Sequence, residues 1–109
     1  MGMGLRRQSV KERRHNSRVL IRRAVDFFWD SGAASGWGHD IGMRGMYIQS
    51  EQRLEPGTAV HVTVHFRRVR PITVDARVSR ADETGFAVQF VHLGGFANEV
   101  IRKVVGYAG

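Results

Sequence analysis

Between residues 60 and 90 the chain alternates apolar and polar positions with a period of two. Val60, Val62, Val64 and Phe66 fall on one side, and His61, Thr63, His65 and Arg67 on the other. Ile72, Val74, Ala76 and Val78 repeat the pattern against Thr73, Asp75, Arg77 and Ser79. Phe86, Val88 and Phe90 do so against Ala87 and Gln89. Successive strand side chains point to opposite faces, so this pattern predicts antiparallel strands with one buried and one wet face. Upstream, Val19 to Trp29 is rich in Val, Ile and Phe and reads as a further strand. Asp30 to Gly38 carries Ser31, Gly32, Ser35, Gly36 and Gly38 and reads as a turn or loop. Two short extended segments follow, around Gly38–Ile41 and Gly45–Gln49, joined by the tight connection Gly42-Met43-Arg44-Gly45.

In Leu54-Glu55-Pro56-Gly57, proline sets one φ and glycine supplies the positive φ of the next position, which predicts a turn. The period changes at the C-terminal end. Phe96, Val100, Ile101 and Val104 recur at helical spacing, with Leu93 and Val105 close to the same stripe. The chain is therefore expected to be all-β, with about six short strands and one C-terminal helix. A small closed or nearly closed barrel is the natural arrangement, because closure removes edge strands that would otherwise pair between molecules.

Length adds one constraint: 109 residues suit a single domain. Composition removes several function classes. No cysteine is present, which excludes a disulfide scaffold, a zinc ribbon and a thiol nucleophile. No apolar run reaches the roughly 18 residues needed to span a membrane. The basic N-terminus has no apolar stretch behind it, unlike a secretory signal. A cytoplasmic protein is expected.

Charge is more informative in its placement than in its total of +7. Up to Arg23 there are eight basic residues (Arg6, Arg7, Lys11, Arg13, Arg14, Arg18, Arg22, Arg23) against Glu12, and from Ala24 onward nine basic and nine acidic residues cancel. Seven of those eight are arginine, which offers a planar donor fork and a stacking face where lysine offers a point charge. This points to an anionic partner: phosphate, nucleotide or nucleic acid. Residues 1–12 are expected to form a flexible basic arm and 13–109 the folded domain.

Two constellations carry candidate chemistry. Arg14 and Arg18 are four apart, with Arg13 adjacent, and converge on one ligand if the segment turns. By itself this also describes a solvated basic tail. Asp40-Ile41-Gly42-Met43-Arg44-Gly45 places a carboxylate at a strand end before a glycine-closed turn. By itself this also describes an ordinary hairpin.

Taken together, an Arg-x-x-x-Arg element before the first strand and an Asp-x-x-x-x-Gly turn about twenty residues on resemble the PilZ domain, a family of bacterial cyclic di-GMP receptors. The first family motif falls on Arg14 and Arg18, with Arg13 as the frequent extra arginine. The second, Asp/Asn-x-Ser/Ala-x-x-Gly, falls on Asp40, Gly42 and Gly45. The resemblance runs from about Lys11 to about Val105. It includes the Leu54-Glu55-Pro56-Gly57 turn, the strand Val74-Asp75-Ala76-Arg77-Val78, and Gly85-Phe86-Ala87-Val88-Gln89-Phe90-Val91. It implies a six-stranded antiparallel β-barrel with a C-terminal helix. It also implies a cytoplasmic, non-catalytic second-messenger receptor that binds cyclic di-GMP through Arg13, Arg14, Arg18, Asp40, Gly42 and Gly45 and signals to a protein partner. No cofactor and no metal site are expected, nor a stable complex with nucleic acid.

The chemistry agrees with that ligand. Guanine presents O6 and N7 as adjacent acceptors for an arginine fork. Phosphates take charge-assisted bonds from arginine. The guanine N1–H and N2–H edge needs an acceptor such as Asp40. Gly42 is the departure: a serine there would add a hydroxyl hydrogen bond of about 0.5–1.5 kcal/mol, up to about tenfold in affinity. Weakened but retained binding follows, with the backbone N–H still in place.

Other readings of the residues are a small basic barrel that binds nucleic acid, and a PilZ-like adaptor that binds protein alone. Against the first, the charge is confined to the arm, and Phe66, Phe86 and Phe90 lie on the apolar side. His61 and His65 lie four apart on one strand face, with no cysteine and no convergent carboxylate evident to complete a metal site. His39 beside Asp40 lacks a nucleophile, and adjacent strand residues are expected to face opposite sides. Trp29 and Trp37 flank the glycine-rich segment and are expected to pack in the core or at its rim, with a partner surface as the alternative.

Overall fold

The computed structural model describes residues 18–108, the side chains of Tyr107 and Ala108 excepted. The arm of residues 1–12, and Arg13 and Arg14, lie outside the described residues. Six strands precede one helix: β1 Val19–Trp29, β2 Gly32–Ile41, β3 Gly45–Gln49, β4 Ala59–Val64, β5 Ile72–Ala81, β6 Gly85–His92 and α1 Gly95–Ala108. The strands close in the order β1-β2-β3-β6-β5-β4, every pair antiparallel. Val25 against Val64 and Phe27 against Val62 make the seam between β1 and β4.

The alternation decides which side chains fill the barrel. Val60, Val62, Val64, Ile72, Val74, Ala76, Val78, Phe86 and Val88 are all buried, with Val25, Phe27, Ile41, Met46 and Ile48 contributed by β1, β2 and β3. Phe27 meets Phe86 edge-on at 5.1 Å between ring centroids, a favoured aromatic geometry. Ala87 is buried as well, despite its polar-side parity. It is flanked in register by Tyr47 and Arg80, which leave its methyl little open surface. The Pro56-Gly57 turn has the expected form, with Gly57 at φ 95°.

The glycine-rich segment is a strand and not the loop expected of it. Only Asp30 and Ser31 separate Trp29 from its partner Gly32, and β2 runs through Ser35, Gly36 and Gly38. The reason is clearance. A Cβ at Gly36 would collide with the carbonyl oxygen of Gln49 on β3. The glycine lets two backbones approach inside a sheet.

The helix stripe is also displaced. Ala97, Val100 and Ile101 are buried, whereas Phe96 is exposed and carries the Arg70 guanidinium 4.2 Å above its ring. Ala97 is on the face of α1 turned to the barrel, where the helix contacts β5 and β1, and Phe96 is on the outer side. Phe66 lies beyond the end of β4 and, half-buried, lines a hollow of about 500 Å³ between α1 and the start of β1. No helix among the described residues is long and apolar enough to cross a membrane.

Candidate functional site

Arg18 stands immediately before β1, and Leu20 faces Asp40 across the β1–β2 ladder. Side chains two apart on a strand share a face, so Arg18 reaches the carboxylate diagonally. Its Nη1 donates to Asp40 Oδ1 at 2.8 Å. The pair is partly open to solvent, with 43% of the Arg18 side chain and 22% of the Asp40 side chain accessible. The ends of the two sequence constellations are thus in direct contact.

Asp40 has a second partner that simple alternation misses: His39 Nδ1 lies 3.2 Å from its other oxygen. Adjacent strand residues should diverge, but a bulge brings these two together. On β2, Gly38 faces Ile48 and Asp40 faces Tyr47, so His39 is extra with respect to β3. On β1, Leu20 faces Asp40 and Arg23 faces Gly38, so Ile21 and Arg22 together oppose His39. Two irregularities therefore coincide. Bulges of this kind re-aim side chains and bend the strand. Arg22 adopts φ 50°, a left-handed conformation that costs a non-glycine residue about 1–2 kcal/mol.

The connection after Asp40 is tight. The N–H of Gly42, expected to be open to ligand, is instead committed to the turn and donates to Gly45 O at 2.9 Å. Gly42 and Gly45 are both buried. Gly45 does not serve the turn through a positive φ, which among the described glycines belongs to Gly57. Its role is again clearance, since a Cβ there would collide with the carbonyl oxygen of Val88 on β6.

A hydrogen-bonded cluster supports the site from β3. The Tyr47 hydroxyl donates to Asp82 Oδ1 at 2.6 Å and also meets Thr84 Oγ1. The N–H groups of Thr84 and Gly85 donate to the same carboxylate oxygen at 2.9 and 3.0 Å. These bonds, the Tyr47 hydroxyl first, hold the Asp82 carboxyl down at about 2. Tyr47 is itself raised, by burial first and then by its bond to Asp82. Its ring lies edge-on to His39, 6.3 Å between centroids. An unbroken series of contacts thus runs from the β5–β6 hairpin through Tyr47 and His39 to Asp40 and Arg18.

Two clefts lie beside this series. One, of about 350 Å³, is lined by Arg22, Trp37, Gly38, His39 and Gln49. The other, of about 570 Å³, shares Trp37 and Gln49 and adds Asp26, Ser35, Ser50 and His65. In it the Ser35 hydroxyl donates to Asp26 at 2.6 Å and His65 Nε2 lies 2.8 Å from the other oxygen, which together hold the Asp26 carboxyl low. Of the two tryptophans, Trp29 is half-buried against Phe27, whereas Trp37 is 58% exposed and forms the wall between the clefts. Sequence reasoning missed Trp37, Arg22, Tyr47 and Asp82. The signal for Asp82 was present: Asp82-Glu83-Thr84-Gly85 has the composition of an aspartate-capped turn.

His61 on the outer side of β4 and His65 just past its end each lie beside a single carboxylate: His61 Nδ1 is 2.6 Å from Asp75, and His65 engages Asp26. Among the described residues no group of three His, Cys, Asp or Glu side chains is placed to hold a metal ion. Phe86 is fully inside the barrel, and Phe66 and Phe90 are half-buried.

These features define a closed six-stranded barrel with a terminal helix, carrying an arginine–aspartate pair at the mouth of its first hairpin. A family model described as PilZ domain matches residues 12–105, and the chain belongs to that family. Solved structures agree on the fold. The PilZ domain of CeSA from a cellulose-synthesizing bacterium superimposes with TM-score 0.66 at 16% identity, over 83% of this chain and 95% of that one. The Bacillus subtilis inhibitor of motility MotI/DgrA superimposes with TM-score 0.72 at 12% identity, over 83% of this chain. The match spans 48%, about half, of the MotI/DgrA chain. No curated protein matches significantly in sequence.

Proposed function

We propose that this chain is a cyclic di-GMP receptor that orders its arginine-bearing segment on binding and passes the signal to a protein partner. One observation carries the reading: the Arg18–Asp40 pair joins the arginine motif to the aspartate–glycine turn at 2.8 Å. Arg18 and His39 occupy the two Asp40 oxygens. Binding exchanges these partners. Guanine N1–H and N2–H replace the arginine on Asp40. Arg18, with Arg13 and Arg14, turns to phosphate and to guanine O6 and N7. Ligand phosphates neutralise the arginine cluster and favour an ordered arm. The same movement reaches the hollow beside α1, because Leu20, two residues from Arg18, lines it.

Calorimetric titration with cyclic di-GMP tests the reading, with GMP and a random single-stranded RNA as controls. Saturable heat at micromolar concentration with cyclic di-GMP alone is the expected result. Its absence refutes the receptor. Tight, salt-sensitive RNA binding replaces it with a nucleic-acid binder.

A further inference from the structure

We infer that the cleft between Arg22 and Trp37 is a base-stacking subsite that takes one guanine of the dinucleotide, an inference that rests on the receptor reading. Trp37 is the first ground. It is 58% exposed, while the barrel core is complete without it. A large exposed aromatic ring walling a cleft is a platform for a flat π-system.

The second ground is the double bulge. The extra residue of β1 and that of β2 lie opposite each other, and both Arg22 and His39 line this cleft beside Trp37. Arg22 is held at φ 50° and makes no salt bridge among the described residues. A guanidinium stacks on a purine face and attracts a neighbouring phosphate. No carboxylate lines the cleft, which suits an anionic nucleotide.

Size and position agree. The volume of about 350 Å³ falls within the usual range for small-molecule sites, about 300–1,000 Å³. Gln49 brings an amide with both donor and acceptor atoms for a base edge. The cleft adjoins the proposed guanine acceptor, since its His39 bonds directly to Asp40. A base seated against Trp37 therefore belongs to the same molecule whose other groups meet Asp40 and Arg18.

The test uses tryptophan emission and calorimetry with cyclic di-GMP as the probe. In a Trp29→Phe variant Trp37 is the sole tryptophan, because the chain contains two. The expected result is saturable quenching that follows the binding heat. Trp37→Ala is expected to weaken binding roughly 5- to 150-fold, the range that base–aromatic stacking supplies, with Trp37→Phe retaining most of the affinity. Binding heat without a change in Trp37 emission, together with wild-type affinity in Trp37→Ala, overturns the subsite and leaves the receptor reading intact. No binding heat in the wild-type protein overturns both. Trp29→Phe keeps the question answerable if Trp37→Ala fails to fold.

Discussion

Replacing Arg18 and Asp40 by alanine, singly and together, separates a structural ion pair from a ligand-binding one. Their 2.8 Å contact is short, but nearly half of the arginine side chain is open to water. Pairs of this kind couple by about 0.2–1 kcal/mol, because solvent screens them and holding two long side chains costs entropy. The pair lies at the start of β1 and outside the core, so neither alanine leaves a buried cavity. Each single variant should therefore lower unfolding free energy by about 1 kcal/mol or less. Ligand affinity should respond differently. Under the proposed receptor reading each residue gives the ligand a hydrogen bond to or from a charged group, about 1.5–3 kcal/mol, so each substitution should weaken cyclic di-GMP binding by roughly 10- to 150-fold. Urea unfolding gives the first quantity and calorimetry the second, and the double variant gives the coupling in each. Stability losses of several kcal/mol with unchanged affinity would mean that the pair is a fold element, and would refute its assignment to the ligand. Arg102→Ala, on the exposed side of α1, should leave affinity at the wild-type value.

Three further outcomes follow from the site. Gly42→Ser should tighten binding by up to about tenfold, by adding the hydroxyl absent from this turn; calorimetry showing equal or weaker affinity would refute that account. Gly45→Ala should cost about 1–3 kcal/mol in urea unfolding, because the added methyl meets the Val88 carbonyl, and a wild-type midpoint would refute the clearance argument. Asp82 sits at about 2 against an ordinary 3.8. The stability its bonds carry is therefore fully present above the ordinary carboxylate value and is lost as pH falls through about 2. Tyr47→Phe removes the largest cause of that depression, so its urea midpoint should fall less steeply than wild type as pH is lowered from about 4 to 2. Parallel pH profiles would show that the Tyr47 hydroxyl does not hold Asp82 down.

How far the sequence could be read depended on the kind of signal. The strands built from Val60, Ile72 and Phe86 were legible because an exact period of two leaves one face apolar, and water enforces the choice. The C-terminal helix was legible in the same way, although not its rotation. Whether Phe96 or Ala97 faces the barrel depends on which side chain permits close approach, and that is decided by the partner surface. The glycines between Ser31 and Gly38 misled for a related reason. Glycine marks both turns and close backbone contacts, and nothing local distinguishes them. The neighbour that Gly36 must clear is Gln49, which belongs to another strand.

The site divides along the same line. Arg18 and Asp40 were legible as charged residues in a spaced motif, and so was the charge balance of the chain after its basic first fifth. Their meeting required β1 to pair with β2 in a register that places Leu20 opposite Asp40. His39, Arg22 and Trp37 were visible as residue types but not as neighbours in one site. A bulge shifts side chains by one place in the alternation, and an isolated strand carries no record of it. By itself the sequence determined the period of each strand, the charge of the arm and the chemical types available at the first hairpin. The tertiary structure decided where two bulges coincide, and so which of those residues face one another across a cleft. Period and charge are properties of neighbours along the chain, whereas register and bulges are settled between strands.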